Sequence, residues 1–186
     1  MGLPTSQALS QVPRPELTAI IDQLFEHNDK FTDFVIRKNF SHDERYNSYG
    51  EFIEAVRKEL GQLADDYNKG ASSDLTDLVR SIISAHPRLG VPKASSLSTS
   101  SAVEQRSLQS GGPELAKQLF KLNEEYETRF PGLRFVVFVN GQSRQKIMEI
   151  MRRRIARGDY NLEIREAFNA MCDIALSRIE KESSRL

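Results

Sequence analysis

The 186 residues suffice for one domain whose core stands without disulfides or a structural metal, and leave no comfortable room for a second catalytic domain. Lysine plus arginine and aspartate plus glutamate both number 26, so no global field draws the chain to nucleic acid or to an anionic membrane. The single cysteine, Cys172, cannot close an internal disulfide, and no apolar run approaches the ~20 residues that span a bilayer, which points to a reducing, intracellular setting.

Residues 1–14 are weakly apolar, lack the core of a secretory signal and read as a flexible leader. From Glu16 to Glu26, Leu17, Ile20, Ile21 and Leu24 recur at helical spacing, and Phe31, Phe34 and Val35 predict a short helix after it. Ser48 with Glu51 is a capping-box pattern for a helix running to about Asp66. The pattern breaks over Lys69 to Ser73, and a further helix from Asp74 ends at Pro87, since a residue preceding proline is driven from the helical region.

Residues 88–112 are rich in serine and glycine, but Ser101 and Glu104 form a second capping-box pattern that predicts a short helix within this loop. Pro113 to Phe130 reads as a helix with Leu115, Leu119, Leu122 and Tyr126 on one side. Phe135 to Val139 is a β-branched apolar run ended by Asn140-Gly141, one extended segment and a turn, too little for a sheet. Ser143 opens a basic helix to about Arg157, and Leu162 to Glu180 forms the last long one. The prediction is an all-α, single-domain helical bundle of seven or eight pieces over residues 15–183.

Two charged or polar side chains sit on apolar stripes. Leu75, Val79, Ile82 and His86 fall at i, i+4, i+7 and i+11, which turns the imidazole inward at the helix end; a satisfied core residue or a C-terminal cap is the plain alternative to a catalyst. Ile164, Phe168, Met171, Ala175 and Arg178 continue a second stripe. A guanidinium there needs a carboxylate, helix carbonyls or an anionic ligand, unless it reaches water or caps the helix. Glu104 can simply return a hydrogen bond to the backbone of Ser101, though a carboxylate in a first turn is also held ionised by the helix dipole. Gln105 offers an amide that can read a urea or amide group, with plain surface exposure as the favoured alternative.

Other features carry less. His27 and His42 have no partner pattern for a metal, so no metal site is expected. Cys172 reads as packing, and Arg152-Arg153-Arg154 as a solvated helix face rather than a nucleic-acid patch. Ser184-Arg185-Leu186 is a conservative variant of the Ser-Lys-Leu address, giving the peroxisome as first expectation and the cytoplasm as second.

Ala85-His86-Pro87-Arg88-Leu89-Gly90, then Ser101 to Gln105, then Leu122-Asn123 to Tyr126 with Arg129-Phe130, then Phe135 to Val139 before Gly141-Gln142-Ser143, together resemble the 2-oxo-4-hydroxy-4-carboxy-5-ureidoimidazoline (OHCU) decarboxylase family. The order and spacing agree over residues 15–180. The resemblance implies an all-helical homodimer that converts OHCU to (S)-allantoin and carbon dioxide, the last step from urate, with no cofactor. It carries the family's catalytic residues onto His86, Glu104 and Arg178, and its substrate contacts onto Pro87, Ser101, Ala102, Val103, Gln105, Phe135, Val136, Val137, Phe138 and Val139. The chain departs from the family's pattern after His86-Pro87, where Arg88 to Lys93 and a serine-rich stretch replace an acidic residue and a Gly-Lys pair, and at Asn140-Gly141-Gln142, where Gly-Arg-Ser is common.

Decarboxylation leaves electron density on carbon, and a conjugated substrate ring can accept it in place of a pyridoxal or thiamine cofactor. On this reading Arg178 and backbone groups hold the anionic and ureido parts, His86 and Glu104 polarise the hydroxyl-bearing centre, and a histidine pKa near 6.5 serves the proton transfer. The competing expectations are a helical interaction module without catalysis, and a relative acting on another ureide.

Overall fold

Serine caps set three of the helix starts. The hydroxyls of Ser48, Ser72 and Ser143 accept the backbone N–H three residues on, at 3.1, 3.2 and 3.3 Å, each satisfying one of the donors that a helix N-terminus leaves open. The computed structural model describes residues 3–41, 45–90 and 112–183. Its helices are α1 (Arg14–Leu24), α2 (Asp29–Asn39), α3 (Tyr49–Gly70), α4 (Ser73–Ser84), α5 (Gly112–Arg129), α6 (Arg144–Arg157) and α7 (Tyr160–Ser183), with a 3-10 helix at Ser6–Gln11 ahead of them. No strand forms among the described residues, and the all-α, single-domain expectation stands.

Local chemistry explains where the boundaries differ from the sequence reading. Glu51 bonds the backbone N–H of Asn47 at 2.7 Å rather than that of Ser48, so the capping box closes one residue early. Helix α4 stops at Ser84, with His86 N–H donating to the Ile83 carbonyl at 3.3 Å in a tighter last turn. Helix α7 starts before Leu162 because Asp159 caps it, accepting the Leu162 N–H at 2.9 Å. Within the span read as a leader, Leu9 is fully buried and the Pro4 carbonyl accepts from the Tyr49 hydroxyl at 3.0 Å. Leu9, with Leu3 and Val12 packed partly buried against the core, anchors this stretch.

Helix α7 is the axis of the fold. It packs most extensively against α3 and also against α1 and α4, while α5 pairs with α6 and α2 lies against α1, α3 and α4. Its stripe of Ile164, Phe168, Met171 and Ala175 is buried throughout, at about 1.5–3 kcal/mol for each large apolar side chain. Cys172 is buried in the same helix, and burial pushes its thiol up to about 12, so it packs and does not react at neutral pH.

The Arg152 to Arg154 run is not a uniform solvated face. Arg152 and Arg153 are exposed, but Arg154 turns inward, where its Nε donates to Glu163 at 2.7 Å and its Nη1 to the Val136 carbonyl at 2.9 Å. Tyr126 adds its hydroxyl to the same Glu163 carboxylate at 2.6 Å, and Arg157 reaches it at 3.1 Å. The Arg154 guanidinium also lies 4.6 Å over the Phe135 ring. These contacts fix the extended run Phe135 to Val139 against the α5–α6 pair. The run ends in a turn in which Asn140 and Gly141 have φ of 42° and 70° and Gln142 N–H returns to the Val139 carbonyl at 2.8 Å. Asparagine and glycine are the residues that tolerate such a turn.

Candidate active site

Around His86, at the end of α4, helix α7 meets the end of α1. Helix α1 terminates at Leu24, Phe25 is extended, and Glu26 turns into the interior at 8% exposure. From α7, Arg178 donates through Nη2 to Glu26 Oε1 at 2.8 Å and through Nη1 to the Leu24 carbonyl at 3.1 Å. The guanidinium therefore neutralises one buried carboxylate and caps the C-terminus of α1, where orphan carbonyls concentrate negative charge. Of the partners the sequence left open for Arg178, it takes two at once. It does not reach water, being 6% exposed.

His86 is 7% exposed, and its Nε2 is buried without a hydrogen bond. Burial is the largest influence on its protonation. The carboxylate of Glu26 acts to raise its pKa and the guanidinium of Arg178 to lower it, and the net effect brings it down to about 4. The expectation of a histidine titrating near 6.5 thus needs correction: at neutral pH this imidazole is uncharged, an acceptor or a donor by tautomer, not a cation.

That shift makes a stability prediction. An unfolded chain protonates His86 near 6.5 and the folded one only near 4, so between those values the unfolded state holds the extra proton. Stability is fully present above about pH 6.5 and is lost as pH falls toward 4, by roughly 3 kcal/mol in all. Urea midpoints of the wild type and of His86→Asn should therefore diverge across this window. Parallel curves would show that the folded state does not disfavour the imidazolium.

The remaining candidates divide by place. Pro87 follows His86 and is half-buried. Phe135, Val136 and Val139 are buried, Val137 and Phe138 half-buried. Their N–H groups find no acceptor among the described residues, whereas the carbonyls of Val136, Phe138 and Val139 are taken by Arg154 and Gln142. Ser101, Ala102, Val103, Glu104 and Gln105, the predicted short helix around them, His42, and Ser184 to Leu186 lie outside the described residues. His27 is exposed on Asp22 at 2.6 Å, which raises its pKa, and no metal-binding group of histidine, cysteine and carboxylates occurs among the described residues. An open cleft of about 620 Å³ runs along the other face of α4, past Asp77, Arg80 and Ser84, and none of the predicted site residues lines it.

Glu26 is the functional residue the sequence reading did not single out. It lies two positions past Leu24, the last residue of the α1 stripe, so periodicity gives it no face; its signal is only a carboxylate between Phe25 and His27.

The fold and site define a class: an all-helical protein that keeps a neutral histidine and a buried carboxylate–guanidinium pair where its central helix meets the ends of two others. A family model described as OHCU decarboxylase matches residues 10–180, and the chain belongs to that family, the decarboxylases of urate degradation. Among curated proteins, none matches the chain.

Proposed function

We propose that the protein decarboxylates OHCU to (S)-allantoin without a cofactor. The observation that carries this reading is the unpartnered, buried Nε2 of His86 beside the Glu26–Arg178 pair. A buried ring nitrogen without a hydrogen bond costs stability, and such a cost is characteristic of groups kept for a ligand.

The neutral imidazole takes the proton of the substrate hydroxyl as the C–COO⁻ bond breaks. That bond's electron pair passes through the ring to its imine nitrogen, which takes a proton from solvent; carbon dioxide leaves, and the proton held by the imidazole returns to the ring carbon that becomes the stereocentre. Delivery from one face makes the product a single enantiomer. Because a substrate bearing a carboxylate would bring negative charge toward His86, the proton it gains is better held in the complex than in the empty protein. Glu104, by the resemblance, joins His86 in polarising the hydroxyl-bearing centre. The N–H groups from Phe135 to Val139 suit the ureido carbonyl, in a helical protein that has few such donors to spare.

The same resemblance supports a homodimer, and Ser184-Arg185-Leu186 supports peroxisomal import; cross-linking and the location of a tagged protein with and without the tripeptide test these. The reaction is tested by generating OHCU in situ from urate with uricase and hydroxyisourate hydrolase. Accelerated ultraviolet decay with the circular dichroism of one allantoin enantiomer is the expected result. Decay at the spontaneous rate would overturn this reading in favour of a helical binding module or a relative acting on another ureide.

A further inference from the structure

The described chain buries three arginines, Arg144, Arg154 and Arg178. Two of them meet carboxylates: Arg154 meets Glu163 and Glu166, and Arg178 meets Glu26. Arg144 does not. It is 5% exposed, and its Nε and Nη1 are buried with no hydrogen bond.

Its position makes the omission costly. Arg144 is the first residue of α6, whose N-terminus already carries a partial positive charge, and no acidic residue occurs in that helix's first turn. A cation is disfavoured there even in water, and a buried, unpaired one costs several kcal/mol. The Ser143 hydroxyl satisfies the Lys146 N–H at 3.3 Å, and the Ser143 carbonyl takes that of Ile147 at 3.1 Å. The N–H groups of Arg144 and Gln145 stay without an acceptor among the described residues. Five residues upstream, across the Asn140-Gly141 turn, ends the extended run whose own N–H groups have no acceptor among the described residues. The locality thus concentrates donors and positive charge, with no acceptor for them among the described residues.

We infer that Arg144 and the N-terminal turn of α6 form a binding site for a small carboxylate anion. Backbone donors at a helix N-terminus and a guanidinium are the two protein groups best matched to such an anion. The carboxylate can belong to the decarboxylase substrate or to a free metabolite, and only the first origin rests on the function proposed above. Arg178, already neutralised by Glu26, is poorly placed to supply a second full charge, which leaves that task to Arg144.

Formate is the probe, with chloride at equal ionic strength as control. In ¹⁵N-labelled protein, one arginine Nε–H resonance that is missing from Arg144→Gln should shift saturably with formate, and Arg144→Met should abolish the response while raising the melting temperature in anion-poor buffer. A purely structural arginine would lower that temperature on removal, and no saturable shift at Arg144 would overturn the site. In the turnover assay, competitive inhibition by formate with a KM raised tenfold or more in Arg144→Gln assigns the occupant as the substrate's carboxylate. Non-competitive behaviour assigns a free anion. The titration needs no turnover, so it reads the same whether or not OHCU is the substrate.

Discussion

Exchanging His86 for asparagine is expected to cut OHCU turnover by roughly 10²–10⁴-fold, the range supplied by a positioned proton-transfer group, with little change in melting temperature at pH 7. Asparagine is the informative choice. It fills part of the imidazole's volume and keeps hydrogen-bonding capacity, but it cannot cycle a proton near neutrality. His86 Nε2 makes no hydrogen bond in the folded protein, so its removal breaks no internal interaction. The pH profile adds a second readout. With the free imidazole's pKa at about 4, kcat/KM of the wild type should hold through pH 6 and fall only in more acidic buffer, where an ordinary histidine would already have lost activity near 6.5. Undiminished turnover in the asparagine variant would remove the residue from the chemistry.

Replacing Glu26 with alanine is expected to cost about 3–5 kcal/mol, because it removes the buried carboxylate that Arg178 meets at 2.8 Å beside the Leu24 carbonyl. For a chain of this size that corresponds to a fall in melting temperature on the order of 10 °C. The pair is coupled, so the double variant Glu26→Ala, Arg178→Met should recover much of the loss, since the guanidinium whose carboxylate the first change removes is itself removed by the second. A single variant that melts within 2 °C of wild type, against a scale of about 2–4 °C per kcal/mol, would mean that the ion pair contributes nothing in solution. Turnover should fall in both variants even if stability returns. Glu26 therefore acts as a positioning residue, holding Arg178 and offsetting its field at His86.

What the sequence revealed follows its periodicity. His86 and Arg178 stood out because each interrupts an apolar stripe at helical spacing, and both are buried where those stripes put them. Glu26 lies just beyond its helix, where spacing carries no information about facing. Arg154 was masked by its neighbours: read as one of three consecutive arginines it looks solvated. Counted with Ile147 and Met151 at i, i+4 and i+7, it falls on the buried face of α6. Arg144, three residues before Ile147, begins that same face, so both ends of the stripe carry a guanidinium. The protonation of His86 was beyond any sequence rule. It depends on depth and on two opposite charges delivered by α7 and by the segment after α1, far apart in the chain.

The order in which the chain is made sets a further demand. Helix α7 follows every element it packs against, so α1, α3 and α4 leave the ribosome with the apolar faces that α7 will cover still open. The bond from Arg178 to the Leu24 carbonyl spans 154 positions, a closure that must await nearly all of the intervening chain. Until then the nascent chain exposes the faces of α1, α3 and α4 that α7 covers and lacks the buried Glu26–Arg178 pair.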